Sequence, residues 1–257
     1  MIVVNSIGEL RKVIRQRIKE QGFNCNLNDI DVSRVDDMSS LFTWSKFDGD
    51  ISEWDVSNVK NMNSMFMGSR FSGDISKWNV SKVETMSSMF HNSEFNGDNS
   101  NWNTSRVEYM DYMFSYSVFN GDISKWNVGS VRNMSFMFYH SLFNGDISAW
   151  DVSSVVDMNE MFCDSKFNED ISKWNVGRVK NMSYMFANSK FSGDLSEWDV
   201  SQVKDMYGMF AYSQFFGDIS NWDVGSVRDM TGMFFRSPLE DEAPKWYKQP
   251  NLYVQAG

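Results

Sequence analysis

The sequence repeats every 24 residues, without insertion or deletion. FSGDISKWNVSKVETMSSMF, starting at Phe71, returns as FNGDISKWNVGSVRNMSFMF at Phe119 and as FSGDLSEWDVSQVKDMYGMF at Phe191. Phe stands at 23, 47, 71, 95, 119, 143, 167, 191 and 215, and Trp at 54, 78, 102, 126, 150, 174, 198, 222 and 246. Met recurs from Met38 to Met230; three residues on stand Leu41 and then Met65 to Met233, each followed by Phe. One unit is too small to bury its own Trp, Val, Met and Phe. Stacked units bury them against the same columns of their neighbours, and one inserted residue would throw every later side chain off its column. Burial of each Phe or Trp is worth about 2–3 kcal/mol, and ladders of aromatics with pliable Met pack without voids.

Each unit divides into two halves. V-x-x-M-x-x-M-F, as in Val59, Met62, Met65 and Phe66, has helical spacing, with Ser57 placed as N-cap. F-x-G-D-I-S-x-W-x-V alternates apolar residues around a Gly-Asp turn and reads as a short strand. The expected fold class is therefore α/β, a leucine-rich-repeat-like solenoid of nine 24-residue units over residues 23–238. The alternative is an all-β solenoid with a turn at the Met-Phe segment. Residues 1–22 read as an N-terminal capping helix: Ser6-Ile7-Gly8-Glu9 fits a capping box, and Leu10, Val13, Ile14 and Ile18 share one face. Residues 239–257 keep the Trp column at Trp246 but carry Pro244 and Pro250, and read as a C-terminal cap.

The unit F-N-G-D-I-S-x-W-x-V-S-x-V-x-x-M-x-x-M-F-x-x-S resembles the BspA-like, DUF285-type repeats of bacterial surface proteins, over about residues 23–238. That family is found on mycoplasmas and on gut and oral bacteria, and is associated with adhesion and partner contact. The resemblance implies a leucine-rich-repeat-like solenoid with no catalytic residues and, as an alternative localisation, the cell surface. The segment MIVVNSIGELRKVIRQRIKEQG has no apolar core of a signal peptide and no cysteine placed for lipidation, so the residues point to the cytoplasm. No run approaches the ~20 apolar residues of a membrane span. Cys25 and Cys163 lie too far apart in a stack to meet and read as free thiols, in keeping with a reducing compartment.

A net charge of -10 argues against nucleic acid as a partner, since phosphate binding needs a basic face. The column Asp50, Asp74, Asp98, Asp122, Asp146, Asp170, Asp194 and Asp218 would repel itself in a stack. It reads either as a row of metal sites or as turn capping, with capping favoured because the period and glycine content of calcium β-rolls are lacking. Glu169 replaces the turn glycine in one unit, yet Asp170 stays. His91 and His140 occupy different columns, so neither a metal pair nor a Ser-His-Asp arrangement is indicated. No catalytic, metal or cofactor residue is expected.

The variable columns are free to carry specificity. Aromatic residues gather there: Tyr109, Tyr112, Tyr116, Phe136, Tyr139 and His140 on one mid-chain patch, with Tyr184, Tyr207 and Tyr212 further on. On a helix, 112 and 116, like 136 and 140, would share a face. Exposed aromatics are unneeded for a core and are favoured at interface hot spots. The expected function is a non-catalytic protein-interaction scaffold binding through one extended face. A surface adhesin, with glycan as a possible ligand, and an acidic inhibitor imitating DNA are the alternatives. The unit 95–118 departs from the pattern, with Asn99 in the Ile column and Thr104 in the Val column.

Overall fold

A computed structural model describes residues 1–248. The chain opens with β1 (Ile2–Val3) and α1 (Ile7–Gln21), and β1 pairs in parallel with β2 (Ile30–Asp31), Ile2 opposite Ile30. Ser6 caps α1 by accepting the Glu9 N–H at 3.3 Å, while the Glu9 carboxylate accepts the Asn5 N–H at 2.8 Å. The reciprocal bond of the capping box is thus displaced by one residue. Leu10 and Ile14 are buried against the first unit, with Val13 and Ile18 partly covered beside them.

From there the chain makes one circuit per 24 residues, and each circuit lies on the next. Parallel bridges join Asp37 to Asn61, Asn61 to Thr85 and so on to Asp205 and Asp229. The backbone path differs from the helix-plus-strand expectation. Among the described residues α1 is the one helix, and β1 and β2 are the only strands. The V-x-x-M-x-x-M-F segment runs instead through successive tight turns, as in Val59 N–H to Val56 O, Met65 N–H to Met62 O and Ser69 N–H to Phe66 O. Ser57 accordingly caps no helix; its N–H donates to Asp55 Oδ1 at 3.0 Å.

The stack explains why no helix forms. In the first circuit Met38, Ser40, Phe42 and Trp44 donate their N–H groups to the carbonyls of Asn61, Asn63, Met65 and Met67 in the next. The same four bonds recur at every junction to Met206, Gly208, Phe210 and Tyr212. A helix would need those N–H groups for itself. The four peptide columns all point the same way, and two others, Lys60 N–H to Asp36 O and Arg70 N–H to Ser45 O, point back. The surplus resembles a helix dipole with its carbonyl end at the first unit and its N–H end at the last. Charges sit accordingly: Arg11 donates to Ser39 O at 2.7 Å, and Glu240 accepts the Arg236 N–H at 2.8 Å.

Inside, the columns are continuous. The Phe47 column stacks with ring centroids 6.2–6.4 Å apart and the Phe42 column with centroids 5.6–6.0 Å apart. Every Trp from Trp54 to Trp246 is tied by its indole N–H to a carbonyl of the preceding circuit at 2.9–3.2 Å, which satisfies the one polar atom it buries. Trp246 stacks on Trp222, and Tyr247 packs edge-on to Phe234, so residues 239–248 cover the last circuit. The rest of the expected C-terminal cap, 249–257 with Pro250, lies outside the described residues.

In the departing unit, Thr104 is fully buried and donates to Asn127 O at 2.9 Å. Asn99 is equally buried, but its amide has no hydrogen-bond partner among the described residues. Leaving such a group unpaired costs about 1–3 kcal/mol.

Candidate functional site

The alignment of the peptides demands left-handed backbone at two corners of each circuit. One corner holds Ser40, Ser64, Ser88, Tyr112, Phe136, Glu160, Tyr184, Gly208 and Gly232; the other holds Trp44, Gly68, Asn92, Tyr116, His140, Asp164, Asn188, Tyr212 and Arg236, all with φ between 51° and 64°. A non-glycine residue there costs about 1–2 kcal/mol. Glycine would meet the requirement without that cost, yet most of these positions carry side chains, several of them aromatic.

At mid-chain the corner side chains form a cluster. Tyr112 and Phe136 stack with centroids 4.4 Å apart and planes 6° from parallel. Tyr116 packs on His140 at 4.9 Å and edge-on to Tyr139 at 5.2 Å, and Tyr139 lies edge-on to Phe136 at 5.7 Å. Stacking was expected to bring these residues together, with 112 and 116, and 136 and 140, each sharing a helical face; no helix forms here among the described residues. They meet because successive circuits place their left-handed corners above one another. Tyr109, expected in the same patch, stands at the bridge position between Thr85 and Asn133 and lines a separate cavity with Glu84 and Glu108, outside the cluster. His91 was not among the expected binding residues, yet it meets Tyr112 and Tyr116 edge-on at 6.2 and 5.9 Å. Its column in the sequence, immediately after Phe90, was the signal.

Burial tunes these groups. It lowers the His91 imidazole below its usual value and raises the Tyr112 phenol. Tyr139 is raised well above the usual range, first by the adjoining Tyr116 hydroxyl and then by burial. His91 Nδ1 and the fully buried Ser115 hydroxyl have no partner among the described residues. His91 and His140 flank Tyr116 from opposite sides.

The remaining aromatics form a second cluster. Tyr184 meets Tyr207 edge-on at 5.0 Å, and Tyr212 meets Phe235 edge-on at 5.3 Å. The Arg236 guanidinium lies over the Tyr212 and Phe235 rings, 5.6 and 5.4 Å from their centroids. An acidic circuit separates the two clusters, with Glu160 and Asp164 at its corners. Burial raises the Glu160 and Asp157 carboxyls, and it pushes the Cys163 thiol to about 12. Both cysteines are free.

The Asp column has a defined task. Each member from Asp50 to Asp218 accepts the N–H of the serine two residues on, at 2.8–3.0 Å. These bonds to Ser N–H and hydroxyl hold the carboxyls below their usual range. Beyond Glu169, the Asn144 side-chain amide is held by that carboxylate at 2.6 Å. Among the described residues no three His, Cys, Asp or Glu side chains converge as a metal ion would require.

A stacked repeat with this register and these columns is matched by one family model, described as Mycoplasma protein of unknown function, DUF285, over residues 9–118, 70–166, 110–216 and 141–246. The chain belongs to the DUF285 family. The overlapping matches follow from the repeat itself, since the model can be laid on the DUF285 units in several registers. No curated protein and no solved structure matches the chain.

Proposed function

We propose that this DUF285 chain is a non-catalytic protein-interaction scaffold, a rigid solenoid that binds a macromolecular partner along its left-handed corner face. One observation carries the reading: the backbone asks for glycine at these corners, and the sequence supplies Trp44, Tyr112, Tyr116, Phe136, His140, Tyr184 and Tyr212. Core packing does not account for Trp44, Tyr116 and Tyr212, which are 63%, 46% and 51% exposed while the interior columns are complete without them. Rigid aromatics held on a fixed backbone lose little entropy on binding. An array repeating over nine circuits suits an extended partner better than a small substrate. Cytoplasmic location remains part of the proposal, and a surface adhesin is the second reading.

The test compares the wild-type chain with the variant Tyr112→Ser/Tyr116→Ser/Phe136→Ser/His140→Ser, shown to be folded by circular dichroism, in affinity capture from lysate of the source cell. A photo-crosslinker at position 116 then maps the contact. A protein retained by wild type, lost by the variant and crosslinked at 116 is the expected result. Equal capture by both proteins, with no crosslink, would overturn the reading.

A further inference from the structure

The two aromatic clusters differ in how one corner column is filled. In the mid-chain cluster the corner column that begins at Ser40 carries Tyr112 and then Phe136, and their rings fill it by stacking. In the second cluster the same column carries Tyr184 and then two glycines, Gly208 and Gly232. The Tyr184 ring folds onto Gly208, where a Cβ would lie 2.5 Å from a ring carbon. Above Gly232 nothing does so: its added Cβ would meet only the Phe235 Cβ, at 4.0 Å. The result is an open slot of about 300 Å³, walled by Tyr184, Tyr207, Tyr212 and Phe235. Its volume is at the lower end for ligand pockets and suits one large side chain.

We propose that this slot binds an aromatic side chain of a partner peptide, followed at once by an acidic residue. Two observations select that occupant. The first is the chain's own use of the column, since the Phe136 ring stacks on Tyr112 at the equivalent place three circuits earlier. A ring entering here would meet the Tyr184 face and the edges of the surrounding aromatics. The second is charge. Arg236 lies over two of the wall rings, and no carboxylate pairs with its guanidinium among the described residues. Glu240 is engaged with the Arg236 backbone N–H instead. A guanidinium braced on aromatic rings beside an apolar slot is a ready partner for a carboxylate. The inference rests on the scaffold reading in assigning the corner face to protein, and it adds the class of peptide.

The test is calorimetric titration of the full chain with an acetylated, amidated Gly-Ser-Trp-Asp-Gly-Ser peptide. Versions with Leu for Trp and with Lys for Asp, a proline decapeptide and cellotetraose serve as comparisons. The Trp-Asp peptide should bind at least about ten-fold more tightly than any of the others. Gly232→Tyr fills the slot with a residue type that the same column holds at Tyr112 and Tyr184, and should abolish binding. Gly232→Ser, matching Ser40, Ser64 and Ser88, should retain it. Arg236→Gln should weaken the Trp-Asp peptide about ten-fold and leave the Trp-Lys peptide unchanged. If Gly232→Tyr does not fold, Tyr184→Ser/Phe235→Ser removes two walls and should abolish binding in its place. Equal binding of the Leu peptide, preference for the decapeptide or cellotetraose, no binding at all, or indifference to the wall variants would each overturn the proposal. The mid-chain capture experiment leaves these residues untouched, so failure of the slot and failure of the scaffold are read separately.

Discussion

The interior columns and the corner face are built by the same 24-residue register, and they obey opposite rules. Inside, the same side chain returns circuit after circuit because each ring is the floor of the next. The Phe47 column runs through the described stack with hardly a change in spacing, and every Trp repeats the same indole bond to the preceding circuit. At the corners the backbone repeats just as strictly, with positive φ in every circuit, but the side chains run from Ser and Gly to Trp, Glu and Arg. A side chain that contacts its own kind is constrained by the stack. One that projects from a fixed backbone is constrained only by what it meets outside. The difference separates the residues that make the fold from those available for recognition.

The largest expected effect lies inside. Trp126→Ala should destabilise the chain by about 3–5 kcal/mol in urea unfolding, because it opens a cavity and frees the Asn99 carbonyl that the indole N–H holds at 3.0 Å. Tyr116→Gly should leave stability within about 1 kcal/mol of wild type or raise it, since glycine relieves the left-handed backbone. If it costs as much as Trp126→Ala, the corner belongs to the core and the distinction fails. Next comes Asn99→Ile, which restores the column of Ile75 and Ile123 and removes a buried amide without a partner. It should stabilise by about 1–3 kcal/mol; a loss of stability would mean that the amide has a role the interior columns do not explain. Glu240→Gln, at the N–H end of the peptide columns, should cost about 0.5–1 kcal/mol at low salt and less at high salt. Salt independence would count against the dipole.

The smallest effect is the response to acid, and it has two signs. The Asp column has depressed carboxyl values, so its stabilisation is present above the ordinary value of about 4 and is lost as pH falls through the folded values. Asp157 and Glu160 are raised by burial, so their ionised forms cost stability at neutral pH, and that cost is relieved as pH falls through their folded values. Melting temperature should therefore rise slightly on mild acidification and then drop. Asp157→Asn/Glu160→Gln should lose the rise and keep the drop. An unchanged profile would place the rise elsewhere.

Much of this was legible in the residues. The register, the buried columns, the helix α1, the free thiols and the capping role favoured for the Asp column all follow from side-chain pattern. The aromatic cluster was legible as a list, though Tyr109 stands apart and His91, Phe235 and Arg236 were missed. The path of the backbone was not legible. A spacing of three residues between Val59, Met62 and Met65 fits a helix and fits a run of tight turns equally well. Which of the two forms depends on whether the N–H groups bond within the segment or to the next circuit, and that choice exists only once circuits are stacked.

The same reasoning divides the protein as a whole. From the sequence come the period, the identity of the buried apolar columns and the expectation that specificity lies in the variable positions, because apolar periodicity is a local and additive property. From the stack come the one-way peptide columns, the left-handed corners and the slot above Gly232. These arise from hydrogen bonds between residues 23 apart in the chain, such as Met38 to Asn61, and no local pattern of side chains encodes the direction in which a peptide group points.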